Sequence, residues 1–260
     1  MTDVIHDHLY NYPKYYDLVF GSDWKTEYDF LKACFSRYSH RPVRRVFEPA
    51  CGTGRLMIKL AAAGFEVAGN DLNLQAVRYC NRRLRRRGFP ATAVEGDMAD
   101  FRVPKQFDAA FNLINSFRHL ASEAAAENHL HCMAKALRKG GLYLLGLHLT
   151  PQGPQQCDEE SWSARRGNLA VHSYMWTIRV DRRRREETVG MTFDVSTPAR
   201  KFQLTDEMVF RTYTAEQFNT LLSRVGDFEF EAAYDFAYDL QTPIKVDRRT
   251  EDVVFVLRKR

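Results

Sequence analysis

The sequence has little cysteine and no long apolar run. Its five cysteines are odd in number, widely spaced and free of any C-x-x-C pair: Cys34, Cys51, Cys80, Cys132 and Cys157. This spacing predicts neither a disulfide framework nor a zinc site, so we expect reduced thiols and no metal. No apolar run approaches the roughly 18 residues of a membrane helix, and the N-terminus lacks the layout of a signal peptide. A soluble, cytoplasmic protein without a membrane partner is therefore expected.

An excess of one charge is also lacking, because 38 Lys and Arg against 33 Asp and Glu leave a net charge of only +5. Arginines nevertheless cluster in two runs, Arg82–Arg87 and Arg182–Arg185. Such runs can follow a phosphate backbone, but they more often mark a solvated face. No interleaved aromatic pattern of a nucleic-acid module accompanies them, so a nucleic-acid partner is disfavoured.

Residues 43–149 alternate short β-branched or aromatic runs with longer helical patterns, which is typical of βαβ units around a parallel sheet. The predicted strands are Val43–Glu48, Phe65–Gly69, Ala91–Val94, Phe107–Ile114 and Leu142–Leu147. The predicted helices are Arg55–Ala63, Leu74–Arg87 and Ser122–Leu137, the last stopped by Gly140 and Gly141. Continuous apolar strands of this kind suit burial on both faces, so the fold class is α/β.

Further segments flank this core. In residues 1–42, two helices are predicted, Tyr15–Phe20 and Trp24–Tyr38. A loop marked by Pro151, Gly153 and Pro154 opens residues 151–213, where period-two alternation over Leu169–Phe210 predicts about three antiparallel strands. In residues 214–260, a capping box of Thr214 and Gln217 starts a helix to Arg224, and two strands follow at Phe228–Phe236 and Asp252–Leu257.

A glycine-rich loop, E-P-A-C-G-T-G, occupies residues 48–54 directly after the first predicted strand. Gly52 and Gly54 let the backbone turn sharply and approach a bound group, while the helix N-terminus behind them offers unpaired N–H donors. A dinucleotide-binding loop normally has a third glycine where this chain has Met57. A nicotinamide oxidoreductase is therefore disfavoured.

Carboxylates follow the next two predicted strands. Asp71 comes after the second strand, where a carboxylate can accept from both hydroxyls of a ribose. Asp97 and Met98 come after the third, where the carboxylate can accept from an adenine amino group and the methionine can cover the ring. Either aspartate alone is more often a turn or cap residue. Because open α/β sheets bind ligands at the carboxyl edge of their strands, the set together predicts a nucleoside site.

The motifs E-P-A-C-G-T-G, N-D-L-N, G-D-M and L-R-K-G-G-L stand in order and spacing over about residues 15–149, and in them the sequence resembles the class I S-adenosylmethionine-dependent methyltransferases. The resemblance implies a Rossmann-like, doubly wound seven-stranded sheet whose last strand is antiparallel, with an antiparallel β insertion after strand five. It implies that residues 43–150 bind S-adenosyl-L-methionine, that 1–42 cap the site and that 214–260 complete the sheet. The implied cofactor-binding residues are Tyr12, Glu48, Ala50, Gly52, Gly54, Asp71, Leu72, Asp97, Met98 and Asn112.

Within that family the layout is most similar to small-molecule methyltransferases, including the sugar N-methyltransferases. They share a Y-D-x-x-(Y/F) helix and an S-x-x-H-L segment, here Tyr16–Phe20 and Ser116–Leu120. The resemblance implies that Tyr16 lies over the cofactor and His119 near the methyl that moves, which makes these two the candidate catalytic residues. As a base, His119 would use an ordinary pKa near 6.5. A helix-cap or structural role is its alternative, and Tyr12 and Tyr15 are alternates for Tyr16.

The expected function is methyl transfer to a small-molecule amine or hydroxyl. Residues 112–115 read N-L-I-N instead of the D-P-P-Y type tetrad of the family's adenine or glutamine methylases, which disfavours a nucleic-acid base. Two alternatives stay open: an RNA or protein methyltransferase that uses the arginine runs, and a non-catalytic module that only binds the cofactor. The insertion at 151–213 is expected to be a lid or a dimer surface, so a homodimer is possible.

Overall fold

The computed structural model describes residues 3–153 and 159–260. The predicted loop position Pro154 and the predicted thiol of Cys157 lie outside these residues. The strands are β1 (Asp3–His6), β2 (Arg45–Pro49), β3 (Glu66–Asp71), β4 (Ala93–Glu95), β5 (Phe107–Asn112), β6 (Leu137–His148), β7 (Glu159–Arg166), β8 (Leu169–Asp181), β9 (Glu186–Ser196), β10 (Lys201–Arg211), β11 (Phe228–Tyr234) and β12 (Asp252–Lys259). The α-helices are α1 (Pro13–Phe20), α2 (Lys25–Tyr38), α3 (Met57–Ala62), α4 (Leu74–Arg85), α5 (Glu123–Ala136) and α6 (Ala215–Val225), and short 3-10 helices cover Leu9–Asn11 and Ser116–His119.

A seven-stranded sheet in the order β11-β12-β6-β5-β2-β3-β4 forms the centre. The strands from β6 to β4 run parallel, whereas β12 is antiparallel to both of its neighbours. The predicted α/β fold with a seven-stranded Rossmann-like sheet and an antiparallel last strand is therefore confirmed. The carboxyl ends of β2, β3, β4 and β5 lie along one edge of this sheet, which is where the site residues were expected.

The predicted end of helix α5 at Leu137 differs from the observed end by one residue, but the predicted start of the next strand at Leu142 and the role of Gly140 and Gly141 as helix stops are wrong. The helix stops at Ala136, well before Gly140, and Leu137 already belongs to β6, where it lies opposite Phe107 of β5. The two glycines instead lie inside β6. A side chain on Gly141 would come within 3.0 Å of the Asp108 carbonyl oxygen, so this glycine allows a close approach of β6 to β5 and is not a helix stop.

A second sheet in the order β1-β10-β9-β8-β7 is built mainly from the insertion. Strands β8, β9 and β10 are the three antiparallel strands that the alternation predicts. The sequence did not predict its two edges. Strand β7 is mostly exposed and alternates only at the half-buried Trp162 and Ala164, and the four-residue β1 pairs in parallel with β10. Neither strand has the longer run of alternating apolar residues on which period-two prediction depends.

Three apolar clusters hold these layers together. One lies on each face of the central sheet, around Phe111 and Phe255 respectively. The third joins the N-terminal segment to the insertion, with Leu9 and Leu18 packed against Phe193 and its neighbours. Because of this third cluster, residues 9–20 lie between the second sheet and the carboxyl edge of the first.

Two features are absent from the described parts of the chain. None of the helices there is long and apolar enough to cross a membrane. Residues 3–153 and 159–260 also contain no group of three or more His, Cys, Asp or Glu side chains placed to hold a metal ion. The described cysteines, Cys34, Cys51, Cys80 and Cys132, are free thiols.

Candidate functional site

The loop after β2 turns through three residues with positive φ, namely Ala50, Gly52 and Gly54. Gly54, at φ 70°, has a second reason to be glycine, since an added Cβ would clash with Sγ of Cys80. Positive φ is accessible to glycine at little cost. The turn brings the backbone of residues 50–54 against the carboxyl end of β3, where the N–H of Cys51 donates to the Asn70 carbonyl oxygen at 2.9 Å.

Asp71, the last residue of β3, holds this loop in place. One carboxylate oxygen accepts from the backbone N–H of Gly52 at 2.8 Å, and the other accepts from the N–H of Asn73 at 2.8 Å. Burial raises the pKa of Asp71, while these two hydrogen bonds oppose that rise. Since a carboxylate offers about four acceptor sites, Asp71 keeps capacity for the hydroxyls of a ribose.

Glu48 and Asn112 each present a buried oxygen without a partner at the bottom of the cleft. Oε2 of Glu48 has no hydrogen bond, and burial raises the pKa of this carboxyl well above its usual range. Asn112 donates to the Pro49 carbonyl oxygen at 2.7 Å, which leaves its own Oδ1 unpartnered. An unsatisfied buried polar group costs about 1–3 kcal/mol. Both oxygens fit a ligand that supplies N–H donors, such as the ammonium group of an amino acid.

Arg55 supplies a positive charge to the same cleft, and sequence reasoning missed it. The cleft is lined by Tyr16, Phe20, Gly21, Glu48, residues 50–53, Arg55, Leu56, residues 112–114 and Ser116. The guanidinium of Arg55 pairs with Glu27 and donates to the Asp23 carbonyl oxygen at 2.6 Å. The signal was available, because Arg55 directly follows the G-T-G turn at the start of the helical region.

The other predicted cofactor residues lie around this edge with differing environments. Asp97 is exposed and accepts from the N–H of Ala99 at 2.7 Å. The Met98 side chain is buried in the apolar cluster around Phe47, and Leu72 is 69% exposed. Tyr12 precedes α1, stacks on Tyr15 with ring centroids 6.2 Å apart, and is not among the residues that line the cleft. Their roles in cofactor binding stay predictions.

His119 lies at the end of the 3-10 helix that follows β5. Its ring packs on Phe210 of the insertion, with centroids 4.7 Å apart, and its Nε2 is 3.0 Å from the hydroxyl of Tyr10. Burial, together with the charges of His8 and Arg118, lowers the pKa of His119 to about 4. The imidazole is therefore neutral at pH 7, and its pKa is lower than the ordinary value assumed from sequence.

Aromatic rings connect His119 to the cleft. The ring of Tyr10 is 5.3 Å from that of Tyr16, which in turn is 4.8 Å from Phe20. Tyr16 and Phe20 both line the cleft. Burial raises the pKa of Tyr16 to about 12, so its phenol keeps its proton at neutral pH. The structure thus brings the two predicted catalytic residues together through Tyr10, which sequence reasoning missed.

Part of each arginine run has a structural role. Arg83 pairs with the buried Asp17 of α1 and donates to the Thr53 carbonyl oxygen at 3.0 Å. Arg185 pairs with Glu123 of α5 at 2.7 Å. The remaining members of both runs are exposed. These pairs attach α1 and the insertion to the central domain.

A wider cleft of about 630 Å³ lies elsewhere, between α6 and the loop that contains Asp247 and Arg248. It is larger than the cleft at the strand ends. None of the residues that line it carries a buried, unpaired polar side-chain atom. We therefore place the candidate site at the strand ends, where such atoms are found.

Comparisons with known proteins agree with this geometry. Residues 46–141 match a model of methyltransferase domains. A putative methyltransferase of Geobacillus sp. (strain WCH70) is 22% identical over 231 residues, which cover 88% of this chain and 90% of the relative. The dTDP-3-amino-3,6-dideoxy-alpha-D-glucopyranose N,N-dimethyltransferase of Streptomyces fradiae is 30% identical over 133 residues, 50% of each chain.

The fold has close structural neighbours. The crystal structure of an S-adenosylmethionine-dependent methyltransferase from Clostridium acetobutylicum superimposes with a TM-score of 0.77 at 18% identity, covering 97% of this chain and 99% of that one. The match extends through the N-terminal segment and the insertion as well as the central sheet. Residues 46–141 therefore form a methyltransferase domain, and the chain has the class I fold of S-adenosylmethionine-dependent methyltransferases.

Proposed function

We propose that this enzyme methylates an amine of a small molecule and that His119 receives a hydrogen bond from the acceptor's N–H. The observation that carries the proposal is the neutral, half-buried imidazole of His119, in an aromatic setting beside the cleft. A neutral imidazole can accept a hydrogen bond from an uncharged amine and so aim the nitrogen lone pair. The relative named as an amino-sugar N,N-dimethyltransferase supports an amine over a hydroxyl.

The residues present fit the cofactor. Asp71 would accept from the ribose hydroxyls, Glu48 and Asn112 would accept from the ammonium group, and Arg55 would face the carboxylate of the methionine portion. The assignments of Glu48 and Asn112 follow from their unpaired oxygens, and that of Arg55 follows from its positive charge, which is opposite to that of the methionine carboxylate, in the same cleft. When bound, S-adenosylmethionine supplies a methyl group on a positively charged sulfur.

The chain's contribution to the reaction is orientation and exclusion of water. The rings of Tyr10 and Phe210 pack against His119, and the ring of Tyr16 packs against Tyr10. The acceptor nitrogen would use its lone pair for the new N–C bond while the bond from the methyl group to sulfur breaks and leaves its electron pair on sulfur, and one N–H proton would then leave to solvent. Alignment of reacting groups can be worth roughly 7–11 kcal/mol at its upper limit, so a residue that fixes the lone pair is expected to act mainly on kcat.

Replacing His119 by alanine is expected to lower kcat at least about tenfold, because it removes the group that orients the acceptor. The cofactor dissociation constant, measured by calorimetry, is expected to change less than about twofold. His172→Ala, at an exposed histidine of β8, is the matched control and should leave both values unchanged. An equal loss of turnover and cofactor affinity in His119→Ala would contradict the assigned role.

The pH dependence of the reaction is expected to reflect the pKa of the acceptor amine and not the pKa of His119. Since the pKa of His119 is lowered to about 4, its imidazole is already neutral across pH 5.5–9. With saturating cofactor, the value of kcat/KM for the acceptor should therefore rise with pH through the pKa of the acceptor amine. His119→Ala should give a lower profile of the same shape. An inflection near pH 6.5 that disappears in the variant would show that His119 titrates as a base.

Acceptor class is tested by transfer of a labelled methyl group to amino sugars and their nucleotides, total RNA and a protein extract. Label in the amino-sugar fraction supports the proposal. Label in RNA or protein would favour the alternative that uses the arginine runs. Tight cofactor binding with no transfer to any fraction would favour a non-catalytic module.

A further inference from the structure

The carboxylate of Asp206 attaches the short segment His8–Asn11 to the insertion through two polar contacts. Asp206 of β10 accepts from the backbone N–H of Leu9 at 3.0 Å and pairs with Nδ1 of His8 at 2.7 Å. Burial of Leu9 in the third apolar cluster adds to this attachment. The backbone on both sides of Tyr10 therefore has a fixed position relative to β10.

The same segment is also hydrogen-bonded to the loop around Asp71, the residue proposed to bind the ribose. Oδ1 of Asn11 accepts from the Asn73 side chain at 2.8 Å, and the backbone N–H of Asn73 donates to Asp71 at 2.8 Å. Asn73 in addition caps α4 through its side-chain oxygen. Tyr10 is thus held between the insertion on one side and the loop around Asp71 on the other.

The Tyr10 side chain projects from this fixed segment onto His119. Its hydroxyl is 3.0 Å from Nε2, and the two rings meet edge to face with centroids 5.6 Å apart. The other ring nitrogen, Nδ1, has no hydrogen-bond partner among the described residues and is not one of the buried, unpaired atoms. Nδ1 is therefore the ring nitrogen that an incoming group can reach.

A neutral imidazole has one lone pair, and the direction of the Tyr10 hydrogen bond decides which nitrogen carries it. If Tyr10 donated to Nε2, the only lone pair would be used and Nδ1 would carry a proton. His119 could then accept nothing from an amine. If Nε2–H instead donates to the phenol oxygen, the lone pair stays on Nδ1.

We propose that Tyr10 is a positioning residue whose oxygen accepts from Nε2–H of His119, and that it thereby holds the lone pair on Nδ1 for the acceptor's N–H. This inference rests on the proposed function, in which His119 receives that hydrogen bond. The phenol proton of Tyr10 is left free for the acceptor or for water. The attachments through Asp206 and Asn73 keep this arrangement aligned with both the insertion and the cofactor loop.

The tautomer is measured by ¹⁵N NMR of protein labelled at histidine, with the His119 signals assigned by their loss in His119→Gln. In the wild type at pH 7.5, with cofactor but no acceptor, Nδ1 is expected to give the shift of an unprotonated ring nitrogen and Nε2 that of a protonated one. Tyr10→Phe keeps the ring and removes only the oxygen. Both tautomers of His119 should then be populated. A protonated Nδ1 in the wild type overturns the inference without recourse to any variant.

Turnover gives an independent readout. Tyr10→Phe is expected to lower kcat about three- to tenfold, with an unchanged cofactor dissociation constant. Tyr174→Phe, which removes a phenol oxygen from the stacked Tyr174–Trp176 pair of β8, is the matched control and should change neither the tautomer nor kcat. If methylation proceeds while the tautomer of Tyr10→Phe is that of the wild type, this inference fails and the proposed function stands. If no amine is methylated, the proposed function fails, and the NMR result still reports what Tyr10 does.

Discussion

Replacing Asp71 by asparagine is expected to weaken cofactor binding about 100-fold, because each hydrogen bond to a buried charged group is worth about 1.5–3 kcal/mol. Asp71 accepts from Gly52 and Asn73 with different oxygens. An asparagine can accept from only one of them, since its amide nitrogen would face the other N–H as a second donor. The variant therefore loses one of the two hydrogen bonds that position the glycine-rich loop. It also loses the negative charge that would accept from the ribose hydroxyls.

Calorimetry with S-adenosylmethionine and with its demethylated product measures the effect. Glu66→Gln is the matched control, because Glu66 begins the same strand at its opposite end and its side chain is 69% exposed in a pair with Arg45. That variant should bind the cofactor within about twofold of the wild type, as expected for loss of an exposed ion pair. An Asp71→Asn protein that melts like the wild type and binds with wild-type affinity would contradict the assignment of Asp71.

The parts of the site that sequence predicts are those encoded locally. The turn at Gly52 and Gly54 and the carboxylate of Asp71 follow from residues within a few positions of a strand end, and strand ends follow from apolar runs. The edge strand β7 was not predicted because only Trp162 and Ala164 alternate as half-buried apolar residues in it. Strand β6 begins at Leu137, before the predicted Leu142, because Leu137 already pairs with Phe107 of β5 and the two glycines lie within the strand.

What sequence does not predict depends on contacts between distant segments. Tyr10 and His119 are 109 residues apart in the chain and meet only because the insertion fixes both. The lowered pKa of His119 likewise comes from burial against Phe210, which no local pattern reports. The partnerless oxygen of Glu48 is another tertiary property, because the motif shows a glutamate but not its lack of a hydrogen bond.

Glu48→Gln is expected to change apo stability and cofactor affinity in opposite directions. The pKa of Glu48 is raised in the folded state, so the folded protein binds more protons than the unfolded chain at pH values above the ordinary glutamate pKa of about 4.3. Stability without cofactor therefore falls as pH rises through that range. Glutamine does not titrate, so the variant should melt about 2–4 °C higher than the wild type at pH 8, equivalent to about 1 kcal/mol.

The gain in melting temperature of Glu48→Gln should become a loss when cofactor is present. An amide cannot neutralise an ammonium group, so the dissociation constant of S-adenosylmethionine is expected to rise about 10- to 100-fold in Glu48→Gln. Thermal melts at pH 5 and pH 8, with and without cofactor, measure both effects in one experiment, and Glu66→Gln again serves as the control. A Tm difference that is the same at both pH values, or a variant that is destabilised without cofactor, would show that Glu48 supports the fold. We expect instead that Glu48→Gln is more stable than the wild type without cofactor and binds the cofactor more weakly. That result would mean that the buried carboxylate lowers the stability of the empty enzyme and gains a hydrogen-bond partner only from its ligand.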